Sequence, residues 1–305
     1  MVRPDLIGFD MVVVGPTASG KTRWAISWAR DNNAEIISAD SRQIYKHLDI
    51  GTGKPSPEEQ EGVTHHLIDV LSPEECYSAG MFRRDCLQAL NEIKKRGKKA
   101  VLAGGTGLYL RTVMERFLEL PVEDPDEKRE FYAQCDPIPS GDLFDELKRI
   151  DRVRASEIMQ NDRVRITRAL WIHRLTGKPP SVIFRENSLD PVPFGPVVGL
   201  LWTPEELSGR ISHRIRQMIG RGWVSEVEKL LSQGYGGHEP AFQSLGYPEI
   251  LSVVRDGVDL EDAIATIEIK TRQYAKRQRT WFRHLLNVQW LTPSADSMFN
   301  PGQKQ

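Results

Sequence analysis

A chain of 305 residues has room for one large domain or two smaller ones, and 39% hydrophobic with 27% charged residues is an ordinary globular balance. The net charge of −1 offers a polyanion no whole-molecule attraction, so any case for nucleic acid must come from local clustering. Cys76, Cys86 and Cys135 fit neither a disulfide framework nor a zinc spacing, no apolar run reaches membrane-spanning length, and Met1–Asp10 has no signal-peptide core, so a cytoplasmic protein is expected.

Short β-branched runs alternate with helical patterns, which predicts an α/β fold on a parallel sheet. The first run, Met11–Val14, leads into Gly15-Pro16-Thr17-Ala18-Ser19-Gly20-Lys21-Thr22, which fits G-x-x-x-x-G-K-[ST], and then into a helical pattern from Arg23. Strand, glycine loop and helix together form a phosphate-binding loop. Its backbone N–H groups and the helix N-terminus wrap an anion, Lys21 adds a point charge, and the Thr22 hydroxyl can ligate magnesium. The loop alone does not say which phosphate compound binds. The second run, Glu35–Ser38, ends at Asp40. Ligands in open α/β sheets bind at the carboxyl ends of strands, so Asp40 belongs to the same cleft. Metal ligand, general base and cap of a following helix are all open roles for it. A third strand is expected at His66–Val70 and a fourth at Ala100–Ala103. The fourth ends in Gly104-Gly105-Thr106, where adjacent glycines permit close backbone approach to a ligand and Thr106 offers a hydroxyl; a tight turn without ligand is the alternative.

Near Pro121 the pattern changes, and three prolines within Asp190–Pro196 mark its return. A helical insertion is expected over residues 122–196, leaving 1–121 and 197–305 as the sheet domain. The insertion carries a basic stretch at Asp162–Arg168. The sheet resumes at Val197–Trp202, with a last run at Val288–Leu291. After Pro204, Arg210 and Arg214 are four apart and share a helical face, which suits phosphate contact or plain solvation. The strongest charge signal is Lys270–Arg283, with six basic residues and no acid. At about 100° per residue Arg272, Lys276, Arg279 and Arg283 form one stripe, while Tyr274 and Trp281 fall opposite, with Ile267, and are expected to pack on a core. A cationic stripe fits a long polyanion. Two basic patches around a phosphate-loop cleft point to a large anionic substrate.

Nine segments in order resemble the bacterial-type tRNA dimethylallyltransferases, over nearly the whole chain. They are GPTASGKT at Gly15–Thr22, ADSRQIYK at Ala39–Lys46, DIGTGKP at Asp49–Pro55, GGTGLYL at Gly104–Leu110, NDRVRITRAL at Asn161–Leu170, TGKPPS at Thr176–Ser181, RISHRIRQMIGRGWVSEV at Arg210–Val227, QSLGYPEI at Gln243–Ile250 and TRQYAKRQRTWFR at Thr271–Arg283. The resemblance implies a P-loop NTPase-like parallel sheet flanked by helices, with a helical insertion domain. It implies transfer of a dimethylallyl group from dimethylallyl diphosphate to the N6 amine of the adenosine 3′ of the tRNA anticodon, with magnesium, by a monomer. Asp40 would be the general base; Thr17, Lys21, Thr22 and Arg214 would hold the leaving diphosphate. Thr106 corresponds to a contact with the target nucleoside. Asp40, Ser41, Arg42 and Gln43, then Val164, Arg165, Ile166, Thr167 and Arg168, correspond to tRNA-contacting segments. So do Gln243, Ser244, Leu245, Gly246 and Tyr247, and Lys276, Arg277, Gln278, Arg279, Thr280, Trp281, Phe282 and Arg283. Arg129, or its neighbour Lys128, matches a further contact. Two departures stand out: there is no zinc-finger-like tail after the basic helix, which favours the bacterial type, and Trp171-Ile172-His173 occupies a place where the family commonly carries an acid.

Three other readings share parts of this pattern. A small-molecule or nucleotide kinase binding ATP would share loop and sheet, but does not require the basic-aromatic helix. A non-catalytic RNA-binding protein would not need Gly20-Lys21-Thr22 with Asp40. A prenyltransferase acting on free adenine nucleotides would differ in lacking salt-sensitive tRNA affinity.

Overall fold

The structure, a computed structural model, describes residues 7–292 apart from 119, 122 and 286. In chain order the elements are β1 (Met11–Val14), α1 (Lys21–Asp31), β2 (Ala34–Ala39), β3 (His65–His66), α2 (Ala79–Lys95), β4 (Lys99–Gly104) and α3 (Gly107–Met114). There follow β5 (Phe117–Leu118), α4 (Pro125–Cys135), α5 (Ser140–Ile150), α6 (Arg152–Ser156), α7 (Arg163–Thr176), α8 (Pro180–Glu186) and β6 (Ser188–Leu189). The chain finishes with β7 (Val197–Leu200), α9 (Pro204–Gly220), α10 (Trp223–Ser232), α11 (Tyr247–Asp256), α12 (Leu260–Arg283) and β8 (Val288–Leu291). It divides into one unit of Met1–Met114 with Val192–Gln305 and a second of Glu115–Pro191. The sequence boundaries, 122 and 196, fall seven and five residues later than these. No helix among the described residues is long and apolar enough to cross a membrane.

The first unit is a six-stranded sheet in the order β3-β2-β4-β1-β7-β8, every pairing parallel. Side chains alternate across a strand, and both faces are apolar here. Val12, Val14, Ile37, Ala39, Ala100 and Leu102 pack into one core, whereas Met11, Val13, Ala34, Ile36, Val101 and Ala103 pack into the other. The expected third strand over His66–Val70 shrinks to His65–His66, because Leu67 and Asp69 adopt φ of 61° and 56°, outside the β region. Helix α12 buries Ala263, Ile264, Ile267, Thr271, Ala275, Gln278 and Phe282, a stripe of helical period. Trp281, partly buried, packs against the core that holds Ile267, as periodicity expects, whereas Tyr274 faces a cavity and Phe282, which periodicity did not place in the core, is fully buried.

The second unit is helical apart from the antiparallel pair β5–β6. Leu143, Leu147, Ile158, Ile166, Ala169 and Leu170 belong to its core. Trp171 is fully buried, and its Nε1 donates to Glu123 Oε1 at 3.0 Å. Asp151 begins α6 by accepting from Arg154 N at 2.9 Å and ties α8 through Ser181 N at 2.6 Å.

Candidate active site

The phosphate loop sits where β1 delivers it, between the two strands that flank β1. Ala18 and Gly20 turn the chain with φ of 62° and 90°, and α1 then starts at Lys21 with Gly20 as a cap lacking a side chain. Three long-range contacts brace the loop from outside. Trp202 Nε1 donates to Ser19 O at 2.8 Å, and Arg210 Nε donates to Ala18 O at 2.8 Å while its guanidinium stacks 4.2 Å from the Trp202 ring centre. Gln278 of α12 accepts from Thr17 N at 2.8 Å and donates to Gly105 O at 2.8 Å.

The loop opens on a cavity of about 900 Å³ whose lining includes Thr17, Lys21, Thr22, Asp40, Thr106 and Arg214. The site thus brings together all five residues expected to be catalytic, and Thr106. Arg210, on the same helical face as Arg214, instead serves the loop. Burial lowers the Lys21 pKa to about 8; Asp40 pulls it up and Arg214 pushes it down. Burial likewise lowers Arg214, against the attraction of Asp40 and Glu59. Two cations and one carboxylate therefore share a poorly solvated space, which fits an incoming anion.

Asp40 caps no helix. Its Oδ1 accepts from Arg42 N at 2.9 Å across a turn that continues to residue 44, which rules out the helix-cap role. Gly104 and Gly105 approach protein: a Cβ on Gly104 would lie 2.2 Å from Ala39 O, and one on Gly105 would lie 2.5 Å from Gln278 Nε2. Lys21 Nζ sits 3.5 Å from that second position. Thr106 Oγ1 accepts from Ser41 N at 3.1 Å, which joins the ends of β2 and β4.

A second loop, Asp49–Lys54, forms another wall. Glu226 of α10 gathers it by accepting from Asp49 N at 2.8 Å, Ile50 N at 2.7 Å and Gly51 N at 3.3 Å, and from the Tyr247 hydroxyl at 2.6 Å. At Gly53, with φ of 61°, a Cβ would lie 1.8 Å from Arg214 Nη2, so the bare backbone seats the guanidinium. Sequence reasoning assigned nothing to Glu226 or Gly53, although DIGTGKP and VSEV carried them.

The segments expected to meet RNA divide by burial. Gln43, Ser244, Tyr247, Gln278 and Phe282 are buried, so they build the wall, and Ser244 and Gln278 also line the cavity. Ser41, Arg42, Gln43, Gln243, Leu245, Arg277 and Trp281 line the cavity, and Arg42 Nη1 reaches Pro240 O at 3.4 Å. Gly246, at φ of 93°, lies against Trp223. Lys276 and Thr280 are exposed. Arg279 and Arg283 flank a small apolar recess beside Pro16, with Trp202 and Trp290. In the second unit Ile166 and Thr167 are buried in its own core, Val164 and Arg165 are exposed, and Arg168 pairs with Glu123 at 2.7 Å. Arg129 is exposed and paired with Asp126, and Lys128 pairs with Glu123 at 2.5 Å. Tyr274, expected in the core, is half-buried and lines the cavity.

A magnesium ion would find Thr22 and one carboxylate, Asp40, at the loop. Among the described residues no group of three His, Cys, Asp or Glu could form a cage. Thr22 and Asp40 fit the needs of magnesium, which keeps several waters and leans on substrate phosphates.

The IPP transferase family model matches residues 43–285. The tRNA dimethylallyltransferase of Acetivibrio thermocellus is 41% identical over 92% of this chain and 90% of its own, and tRNA dimethylallyltransferase 1 of Citrifermentans bemidjiense is 39% identical over 92% and 91%. The crystal structure of a Bacillus halodurans tRNA isopentenylpyrophosphate transferase superimposes with a TM-score of 0.70 at 36% identity, covering 96% of this chain and 93% of that one. A eukaryotic dimethylallyltransferase acting on tRNA gives a TM-score of 0.80 at 29% identity, covering 96% and 76%. The fold is thus shared with solved tRNA isopentenylpyrophosphate and dimethylallyl transferases, and the chain belongs to the IPP transferase family.

Proposed function

We propose that this protein transfers a dimethylallyl group from dimethylallyl diphosphate to the exocyclic N6 amine of the adenosine immediately 3′ of the anticodon in tRNA, releasing diphosphate, as a cytoplasmic monomer. The observation that carries the reading is the single cavity in which Lys21, Arg214 and Asp40 meet beneath the wall formed by the basic helix α12. The phosphate loop, Lys21 and Arg214 hold the diphosphate, which takes on negative charge as the allylic carbon–oxygen bond breaks. Thr22 would hold magnesium, which would supply charge neutralisation for the leaving diphosphate when bound. Asp40 takes a proton from the amine, a poor nucleophile that gains from late proton removal. The base reaches the cavity by leaving its stack. Arg42, Arg277, Lys276 and the exposed face of α12 receive the anticodon arm, and Arg165 and Arg168, with Val164 beside them, make a further contact from the second unit.

The test uses radiolabelled dimethylallyl diphosphate with magnesium, an unmodified anticodon stem-loop, and the same RNA with the target adenosine replaced by guanosine. Label on the first RNA alone supports the reading; label on neither, with phosphate moved from ATP to a small acceptor, makes the protein a kinase. Asp40→Asn is expected to lower kcat by about two orders of magnitude or more, the usual worth of a general base, with tRNA binding retained. Retained turnover removes Asp40 from that role.

A further inference from the structure

We propose that the prenyl chain of the donor lies in an apolar inner end of the cavity, where Met218 and Trp223 form a wall that limits the donor to five carbons. The proposal rests on the prenyl-transfer reading above and adds to it a determinant of donor length. Exposure gives the cavity its direction. Gln273 and Arg277 are exposed and belong to the mouth, whereas Ile211, Ile215, Trp223 and Ile267 are at most 4% exposed and line a closed end.

Helix α9 joins that end to the anion site. Ile211, Arg214, Ile215 and Met218 recur at helical spacing and share one face, and all four line the cavity. Arg214 Nη2 lies 1.8 Å, and Met218 Cε 3.0 Å, from the position a Cβ would take on Gly53. The guanidinium and the thioether methyl therefore meet over one bare backbone. The apolar surface begins where the positive charge that holds the diphosphate stops. Arg214 and Met218 are one helical turn apart, about 6 Å along the axis. A five-carbon chain spans that turn; a ten-carbon chain runs on into the wall.

The wall is rigid. The Trp223 indole is 1% exposed and is gripped at two points by glycines: a Cβ on Gly51 would lie 2.1 Å from Nε1, and one on Gly246 would lie 2.2 Å from Cη2. Tyr247 meets the ring edge-on, with ring centres 5.6 Å apart. Trp223 Nε1 has no hydrogen-bond partner among the described residues, so the indole serves there as bulk. The cavity's other buried apolar liners, Ala25 and Ile36, share the lining with His65 and Ser38, whose polar groups a hydrocarbon chain would cut off from water. In the reaction the bond between the allylic C1 and oxygen breaks, and its electron pair leaves with the diphosphate. The N6–C1 bond forms and one N6 proton moves to Asp40. The chain beyond C1 takes no part, so the wall decides only which donor can bring C1 to the amine.

The test compares dimethylallyl with geranyl diphosphate. Calorimetry without RNA gives the affinity of each, and initial rates give the transfer of each to an anticodon stem-loop. The wild type is expected to take the five-carbon donor and exclude the ten-carbon one. Met218→Ala opens the lobe. It should weaken dimethylallyl diphosphate binding by about 10-fold through lost contact and improve binding and transfer of geranyl diphosphate by about 10-fold or more, since one methylene too many or too few in an apolar pocket is worth about 10- to 200-fold. Met218→Leu, of similar volume, should keep the wild-type preference. Trp223→Phe breaks no hydrogen bond and should shift the preference as Met218→Ala does. KM for the stem-loop should stay put in all three, and melting temperatures check that each variant folds. A wild type that transfers neither donor overturns the transfer reading and this proposal with it. A wild type that takes both donors equally, or a preference unmoved in both Met218→Ala and Trp223→Phe, overturns this proposal alone. A shift confined to the stem-loop KM does so as well, and gives the lobe to the base.

Discussion

Gln278 offers the sharpest test of how the phosphate loop is held. Its amide is 6% exposed and makes two bonds of 2.8 Å, one from Thr17 N and one to Gly105 O. Gln278→Ala leaves a backbone donor and a backbone acceptor without partners. Each buried orphan costs about 1–3 kcal/mol, but the neighbouring cavity can admit water, which favours the low end and a total of about 2 kcal/mol. If that cost falls on the loop geometry that receives the diphosphate, KM for dimethylallyl diphosphate rises by about 30-fold. The assay is initial-rate kinetics with the diphosphate varied at saturating stem-loop RNA, with stem-loop affinity measured separately. Gln278→Glu sharpens the result: its carboxylate still accepts from Thr17 N but meets Gly105 O with no proton and adds negative charge beside the anion site, so its KM should rise at least as far. A diphosphate KM unchanged in both variants, with any defect confined to RNA affinity, would refute the bracing role and return Gln278 to the RNA-contacting set.

Other expectations concern the same anion site. Gly53→Ala places a methyl 1.8 Å from Arg214 Nη2 at φ of 61°, so it displaces the guanidinium and should weaken diphosphate binding by about 10- to 100-fold; unchanged affinity by calorimetry sinks the idea that Gly53 seats Arg214. With Lys21 near 8 instead of 10.5, the free enzyme loses that charge as pH rises through about 8, so KM for the diphosphate should climb there, and Lys21→Arg should flatten the climb. The folded value lies below the unfolded one, so between about pH 8 and 10.5 the unfolded chain binds the extra proton and this group adds stability as pH rises. Weaker binding in that window, with a melting temperature that does not fall through this group, is the expected pair of results; a pH-independent KM contradicts it.

Much of the fold is legible in order, because strand faces and the glycine loop are local signals. Met11–Val14 running into Gly15–Thr22 needs only neighbours in sequence to declare itself. The failures come where tertiary contact decides. HLIDV is apolar enough for a strand, yet β3 is an edge strand paired only with β2, and nothing holds Leu67 and Asp69 extended. Periodicity sorted Tyr274 with Ile267 because a core and the wall of a cavity both take aromatic residues at helical spacing; only the fold separates them. Gly104-Gly105 line the cavity, and their missing side chains also make room for Ala39 and Gln278, a demand that no local signal announces. Glu226 carries no local mark at all, since its partners at Asp49–Gly51 lie over 170 residues away.

The Glu226 clasp has a consequence for synthesis. Asp49 and Glu226 are 177 positions apart, so at roughly 5–20 residues per second the ribosome needs about 9–35 s between them. Throughout that interval the loop that seats Arg214 lacks its carboxylate anchor, and for most of it Arg214 and strand β7, the partner of β1 on its open side, are also unmade. A nascent chain released early therefore carries a recognisable phosphate loop and no grip on a diphosphate. The site assembles from the chain's two ends, and a truncated product is silent instead of partly active.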